Sequence, residues 1–243
     1  VSHRSAEGIA GHRGDRRIQS GAVVGLGAGI LLAILPSLLF TELYSGGTGG
    51  LPLGSATLRG SGLLLIAGAL LFLVSFWLYR WGFSGWRQRD PRFAVPIALC
   101  FVGTIGALAV VGCGIAIYSS PTAIETCLHG RPTQWSSCLI GLSPLGALTT
   151  IVGILGGVLG GIGLVVGLAL VARWVRSTAL GVASAVYGTL WTLGALTIVG
   201  GDLPVGTARA LLLLLPVVAI LAPLLTLVGA TGAILASAPP RAS

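Results

Sequence analysis

The 243 residues are 54% hydrophobic and only 8% charged, with a formal net charge of +8 and a mean hydropathy of +0.98, whereas an ordinary soluble domain carries about one quarter charged residues. This balance excludes a soluble globular enzyme and predicts an integral membrane protein, a single multi-helix bundle with no room for a substantial extramembrane domain. All 14 Lys+Arg residues are arginine, and the chain has no lysine, asparagine or methionine, which removes a Walker A phosphate loop, a Schiff base to retinal or pyridoxal, and a lysine general base.

In chain order, residues 1–20 form a polar segment rich in arginine. The apolar run that follows, Gly21 to Leu43, is longer than the roughly 7 to 15 residue core of a secretory signal, so it is expected to be a retained first span. Further spans are expected at Ser61 to Trp81, Phe93 to Tyr118, Pro144 to Trp174, Thr178 to Gly200 and Gly206 to Ala236. Each is long enough to cross a hydrocarbon core of about 30 Å as a helix, which satisfies its own backbone hydrogen bonds. A transmembrane barrel would need short alternating strands, which the sequence lacks. The expected fold is therefore an all-α integral membrane protein, a bundle of about six transmembrane helices over residues 21–237, with an external loop at 119–143 and a short tail at 238–243.

Arginine placement predicts the orientation. Arg4, Arg13, Arg16 and Arg17 precede the first span, Arg80, Arg87, Arg89 and Arg92 lie around the second connection, Arg173 and Arg176 lie in the fourth, and Arg241 ends the chain. Only Arg59, Arg131 and Arg209 fall on the other side. By the positive-inside rule both termini are expected in the cytoplasm. The basic residues sit beside apolar runs, which suits anionic lipid headgroups and not nucleic acid; no recognition motif or soluble basic domain is present.

Within the spans, Pro36, Pro216 and Pro223 are expected to interrupt the helical hydrogen-bond ladder locally. The stretch Tyr79 to Phe93 alternates rings with guanidinium groups and reads as a cytoplasmic turn. Arg80, Trp81, Trp86, Arg87, Arg89 and Arg92 are its candidate lipid or partner interface, because rings favour the headgroup layer and arginines reach phosphates. Cys100 and Cys113, on the third span, are separated by about 20 Å of helical rise, cannot pair with each other, and are expected as small packing residues.

The most polar loop runs from Glu125 to Cys138 and holds Cys127, His129, Arg131 and Trp135. A structural zinc site normally needs four ligands, often in close CxxC pairs, and a thioredoxin-like redox site also uses CxxC; neither spacing occurs here. On the outer face of a prokaryotic plasma membrane a disulfide between Cys127 and Cys138 is the expected outcome, with metal binding and free or partnered thiols as the alternatives.

The fourth span contains Gly153, Gly156, Gly157, Gly160 and Gly161. The run resembles a nucleotide loop only superficially: it has no lysine and follows no strand. Spacing by four residues instead makes rows along which another helix can approach closely. All six acids, Glu7, Asp15, Glu42, Asp90, Glu125 and Asp202, and all three histidines, His3, His12 and His129, lie away from span centres. Proton-coupled pumps and haem-binding bundles place such groups at membrane depth. No catalytic, metal-binding or cofactor-binding constellation is predicted. The expected function is thus a cofactor-free structural or accessory subunit of a larger membrane complex, with the bilayer and other membrane subunits as partners. The alternative is a small-solute or ion channel or transporter lined by hydroxyls such as Thr104, Thr149, Thr150, Thr189, Thr192 and Thr197.

Overall fold

The computed structural model describes residues 14–31, 34, 55–128, 135–142, 144–199 and 205–236; within those ranges the side chains at 55, 125, 128, 135–137, 142, 193–199, 205–213, 215, 216 and 236 lie outside the description. The described chain is almost wholly helical: α1 (14–31), α2 (Ser55–Arg87), a single 3-10 turn (Pro91–Phe93), α3 (Ala94–Ser119), α4 (Pro121–Leu128), α5 (Trp135–Leu142), α6 (Pro144–Val175), α7 (Thr178–Val199) and α8 (Val205–Ala236). No strand occurs among the described residues.

Four stretches are long and apolar enough to cross a membrane: Ala56–Arg87, Pro91–Ser119, Pro144–Val175 and Val217–Leu235. Against the expectation of about six, this is the number among the described residues. The expected first span runs past the described part of α1, whose first turn carries Asp15, Arg16 and Arg17; the expected fifth is helical as α7, but its distal side chains are outside the description. The expected sixth is helical as α8, continuous through Pro216 and Pro223, whereas Pro36 lies outside the described residues. The expected external loop 119–143 contains the short helices α4 and α5.

The long helices form a ring in the order α1, α2, α3, α6, α7, α8, each antiparallel to its neighbours. Adjacent packing within the series from α2 to α8 is extensive. The ring closes through α1, which meets α2 where Ser75 Oγ donates to the Gly21 carbonyl at 2.9 Å, and meets α8 where Gln19 Nε2 donates to Thr231 Oγ1 at 3.0 Å. In lipid there is little hydrophobic drive to bring apolar helices together, so close van der Waals packing and interhelical hydrogen bonds carry the assembly. That requirement explains why glycine lines so many of the contacts.

Two buried clusters divide the ring along its axis. The larger gathers Ile18, Phe76, Tyr79, Phe83, Trp86, Phe93, Leu164, Leu168, Leu180 and Tyr187; the smaller gathers Leu58, Cys113, Ile117, Ile124, Cys138 and Leu139 near α4 and α5. In the larger cluster α2 supplies an aromatic ridge at Phe76, Tyr79, Phe83 and Trp86, spaced three or four residues apart and hence on one helical face. Phe83 lies against Gly167 of α6, and Phe76 lies 3.0 Å from where a Cβ on Gly160 would stand. These aromatic side chains occupy the middle of the ring because the opposing helix offers backbone in place of side chains.

The stretch read as a turn from Tyr79 to Phe93 is therefore corrected. Helix α2 continues to Arg87, and only residues 88–90 and the 3-10 turn connect it to α3. A helix of 33 residues is about 50 Å long, well beyond an apolar thickness of about 30 Å. The loss of hydropathy near Arg80 marks a change of surroundings along the helix; the backbone hydrogen bonds continue past it.

Candidate functional site

The glycine rows of α6 are used within the chain. Gly153, Gly156 and Gly160 face α3, whereas Gly157 and Gly161 lie under the indole of Trp191 on α7. A Cβ on Gly156 would stand 2.5 Å from the Cα of Gly106, and one on Gly160 equally close to the Cα of Gly103. Any side chain at these positions forces α3 and α6 apart. Gly103 and Gly106 are the partners that linear order does not single out; their three-residue spacing on the third span is the signal that could pair them with the rows on the fourth.

Between the two buried clusters lies a partly open cavity of about 270 Å³, bounded by α2, α3, α6 and the ring of Trp191. Ala69, Phe72, Ala107 and Ile154 contribute to its walls, and the wall formed by Gly106, Gly153 and Gly157 is largely backbone. No charged residue is among the described lining residues. Thr150 donates its hydroxyl to the Gly146 carbonyl at 2.7 Å and lies 3.7 Å from Cys113 Sγ, so the two polar side chains of the wall are engaged with the protein itself. Trp191 Nε1 is buried and has no acceptor; being inaccessible, it offers the cavity no donor.

A second interior feature is polar. Tyr79 Oη on α2 and Tyr187 Oη on α7 lie 3.4 Å apart, and buried Thr226 of α8, whose hydroxyl donates to the Ala222 carbonyl at 2.9 Å, is a neighbour of both. Gly25 of α1 lies beside Ser75 Oγ and Tyr187 Oη, so the hydroxyl group cluster joins four helices. Each buried hydroxyl needs a partner because none can be lost to water. Sequence reasoning missed this cluster: Tyr187 is one polar atom in an apolar span, and nothing in linear order links it to Tyr79.

The threonines proposed to line a path behave differently. Thr104, Thr149, Thr150, Thr189 and Thr192 each donate to the carbonyl four residues earlier on their own helix, as threonine commonly does in apolar helices. Only Thr150 borders the cavity; Thr189 and Thr192 are exposed, and the side chain of Thr197 lies outside the description.

At the end of the ring where α2 meets α3 and α6 meets α7, the described arginines are Arg16, Arg17, Arg80, Arg87, Arg89, Arg92, Arg173 and Arg176; Arg59 lies towards the other end. The Arg17 guanidinium lies 5.0 Å from the ring of Trp81, and that of Arg80 lies 4.9 Å from Trp77 and 5.0 Å from Phe101. Of the six residues expected to face lipid or a partner, Trp81, Arg87 and Arg92 are exposed, and Arg80 and Arg89 are half-buried. Trp86 is the correction, at 3% exposure. Its indole stacks on Phe93, Gly14 of α1 packs beside it, and Arg89 covers its ring at 4.9 Å. It lies inside because it follows Phe83 by three residues and so shares the ridge.

Asp90 organises the same end. Its Oδ1 accepts the Arg92 backbone N–H at 2.9 Å, and its Oδ2 accepts Trp174 Nε1 at 3.3 Å, tying the α2–α3 connection to the end of α6. The Arg92 N–H holds the carboxyl below its ordinary value of 3.8 against an opposing desolvation, with the Trp174 indole and the Arg92 charge adding to the effect.

At the opposite end Cys127 and Cys138 are joined, with S–S 2.09 Å and Cα–Cα 5.8 Å. The bridge links α4 to α5, and Cys138 is buried in the smaller cluster with Ile124 and Leu139. His129 and Arg131, and the side chains of Glu125 and Trp135, lie outside the description. Cys100 and Cys113 are free and buried in α3. Glu42 and Asp202 lie outside the described residues, as does the side chain of Arg209. No protein-family model, curated protein or solved structure matches this chain.

Proposed function

We propose that the chain is a cofactor-free multi-pass protein of a prokaryotic plasma membrane that serves as a structural or accessory subunit of a larger membrane complex. In this reading it has six spans, and the arginine-rich end, with both termini, faces the cytoplasm. The carrying observation is the packing of the arginine-rich half of the ring, where the aromatic ridge of α2 lies against glycine backbone of α6, while the cavity beside it has no charged residue among its described lining. A body packed in this way acts through its surface. That surface carries large aliphatic side chains such as Leu108, Leu145, Leu155 and Val228, each more than half exposed, and a basic end suited to anionic headgroups or an acidic partner surface.

Extraction in a mild detergent, followed by mass analysis of intact assemblies, tests the reading. The expected result is a stoichiometric partner chain that stays bound through purification and cross-links in native membranes. A strictly isolated monomer, with no cross-linked partner before extraction, refutes it. Solute flux through reconstituted vesicles above that of empty vesicles favours a channel or transporter instead.

A further inference from the structure

We infer that the cavity between α2, α3 and α6 is a binding site for a hydrocarbon chain of a membrane lipid, a role independent of any partner subunit. Three observations converge on this ligand class. The site has a volume of about 270 Å³, nearly twice that of the ~150 Å³ apolar cavity that stays dry and accepts benzene. Its walls leave water almost nothing to bind: a buried water needs two to four polar partners, and the Thr150 hydroxyl is already committed to the Gly146 carbonyl. Its lining residues, among them Phe72, Ala107 and Ile154, lie near the middle of three stretches long and apolar enough to span a bilayer, where the surrounding medium is itself hydrocarbon.

The packing keeps the space open. The Gly103–Gly160 and Gly106–Gly156 contacts fix the approach of α3 to α6 through backbone, and glycine has no side chain that could swing into the space. The indole of Trp191, held flat over Gly157 and Gly161, supplies a rigid wall against which methylene groups can pack.

The test uses the full chain in phospholipid vesicles with two probes, a phospholipid and a free fatty acid, each carrying a photoreactive diazirine in the acyl chain. After photolysis and peptide mapping, label is expected at cavity positions such as Ile154 and to saturate with probe, whereas label on outward positions such as Leu108 and Leu155 rises in proportion to probe. Saturation by the phospholipid assigns the chain to a bilayer lipid, and saturation by the fatty acid alone assigns it to a free acid. Ala107→Leu, which places a larger side chain in the space, is expected to lower cavity labelling about tenfold with outward labelling unchanged. Ala69→Leu fills the site from α2 and serves as a second variant if the first fails to fold. Label confined to outward positions, non-saturating label in the wild-type cavity, or cavity labelling unchanged in a folded filling variant overturns the proposal.

Discussion

Gly103 and Gly160 meet backbone to backbone across α3 and α6, so closely that a Cβ on Gly160 would stand 2.5 Å from the Gly103 Cα and one on Gly103 would stand 2.8 Å from the Gly160 Cα. Gly106 and Gly156 repeat the relationship about one turn away. Where lipid competes equally for apolar side chains, this intimacy is a main source of helix association.

Gly156→Val and Gly160→Val are each expected to destabilise the bundle by about 3 kcal/mol or more, because the atom in the way is backbone and has no rotamer to change. Gly232→Ala on α8 is the control: a Cβ there meets nothing within 4 Å, and alanine favours the helix by up to about 1 kcal/mol. Unfolding titrations in mixed micelles should rank the variants in that order.

Denatured protein kept free of reductant should expose two thiols, those of Cys100 and Cys113, and four after reduction. Cys127→Ser opens a loop with a sequence separation of 11, a constraint worth roughly 3 kcal/mol in the chain-entropy model. The same variant should loosen Cys138 from its contacts with Ile124 and Leu139, read as faster amide exchange in α5 than in α3.

The Asp90 carboxyl, depressed below 3.8, makes stability depend on acid in a definite direction. Its contribution is present above the ordinary carboxylate value and is lost as pH falls through the lower folded value. Melting temperatures of wild type and Asp90→Asn should therefore converge as pH drops below about 3.8, and the Trp174 indole N–H resonance should shift over the same interval in the wild type alone.

Tyr187→Phe removes one hydroxyl from the cluster with Tyr79 and Thr226 but keeps the ring. The expected cost is about 0.6 kcal/mol, the average for interhelical hydrogen bonds in membranes. Phe83→Ala, which empties the notch against Gly167, is expected to cost roughly 3 kcal/mol. A double mutant combining Tyr79→Phe with Tyr187→Phe should show less than the sum of the single effects, since both remove the same contact.

Arg176 has φ 54°, and Ser177 N–H donates to the Ala172 carbonyl at 3.0 Å, the closing bond of a left-handed helix cap. Glycine favours that conformation, whereas an L side chain costs roughly 1 to 2 kcal/mol there. Arg176→Gly should raise thermal stability, and failure to do so would mean that the guanidinium makes an offsetting contact at the membrane surface.

Much of the architecture was legible in linear order. The edges of α3 and α6 fall within a residue or two of the hydropathy boundaries, because in those segments apolar composition and helical hydrogen bonding begin and end together. At α2 they separate: composition changes near Arg80, yet the helix continues to Arg87, because Gly82 packs against Ile18 and Gly14 of α1. Trp86 was misplaced for the same reason, since a residue rich in interfacial character says nothing about which helix will cover it.

Composition and spacing by themselves determined the helical membrane class, the exclusion of lysine chemistry, the candidate pairing of Cys127 with Cys138, and the glycine rows of α6. These depend on one-dimensional quantities: apolar length against bilayer thickness, the residue types present, loop separation, and the four-residue repeat of a helix face. Only the tertiary structure decided that the rows meet Gly103, Gly106 and Trp191 of the same chain, that Tyr79 meets Tyr187, and that an apolar cavity lies between two cores. Those are contacts between residues tens of positions apart, and they follow from which helix faces become neighbours around the ring, a choice that near-uniform apolar composition leaves open.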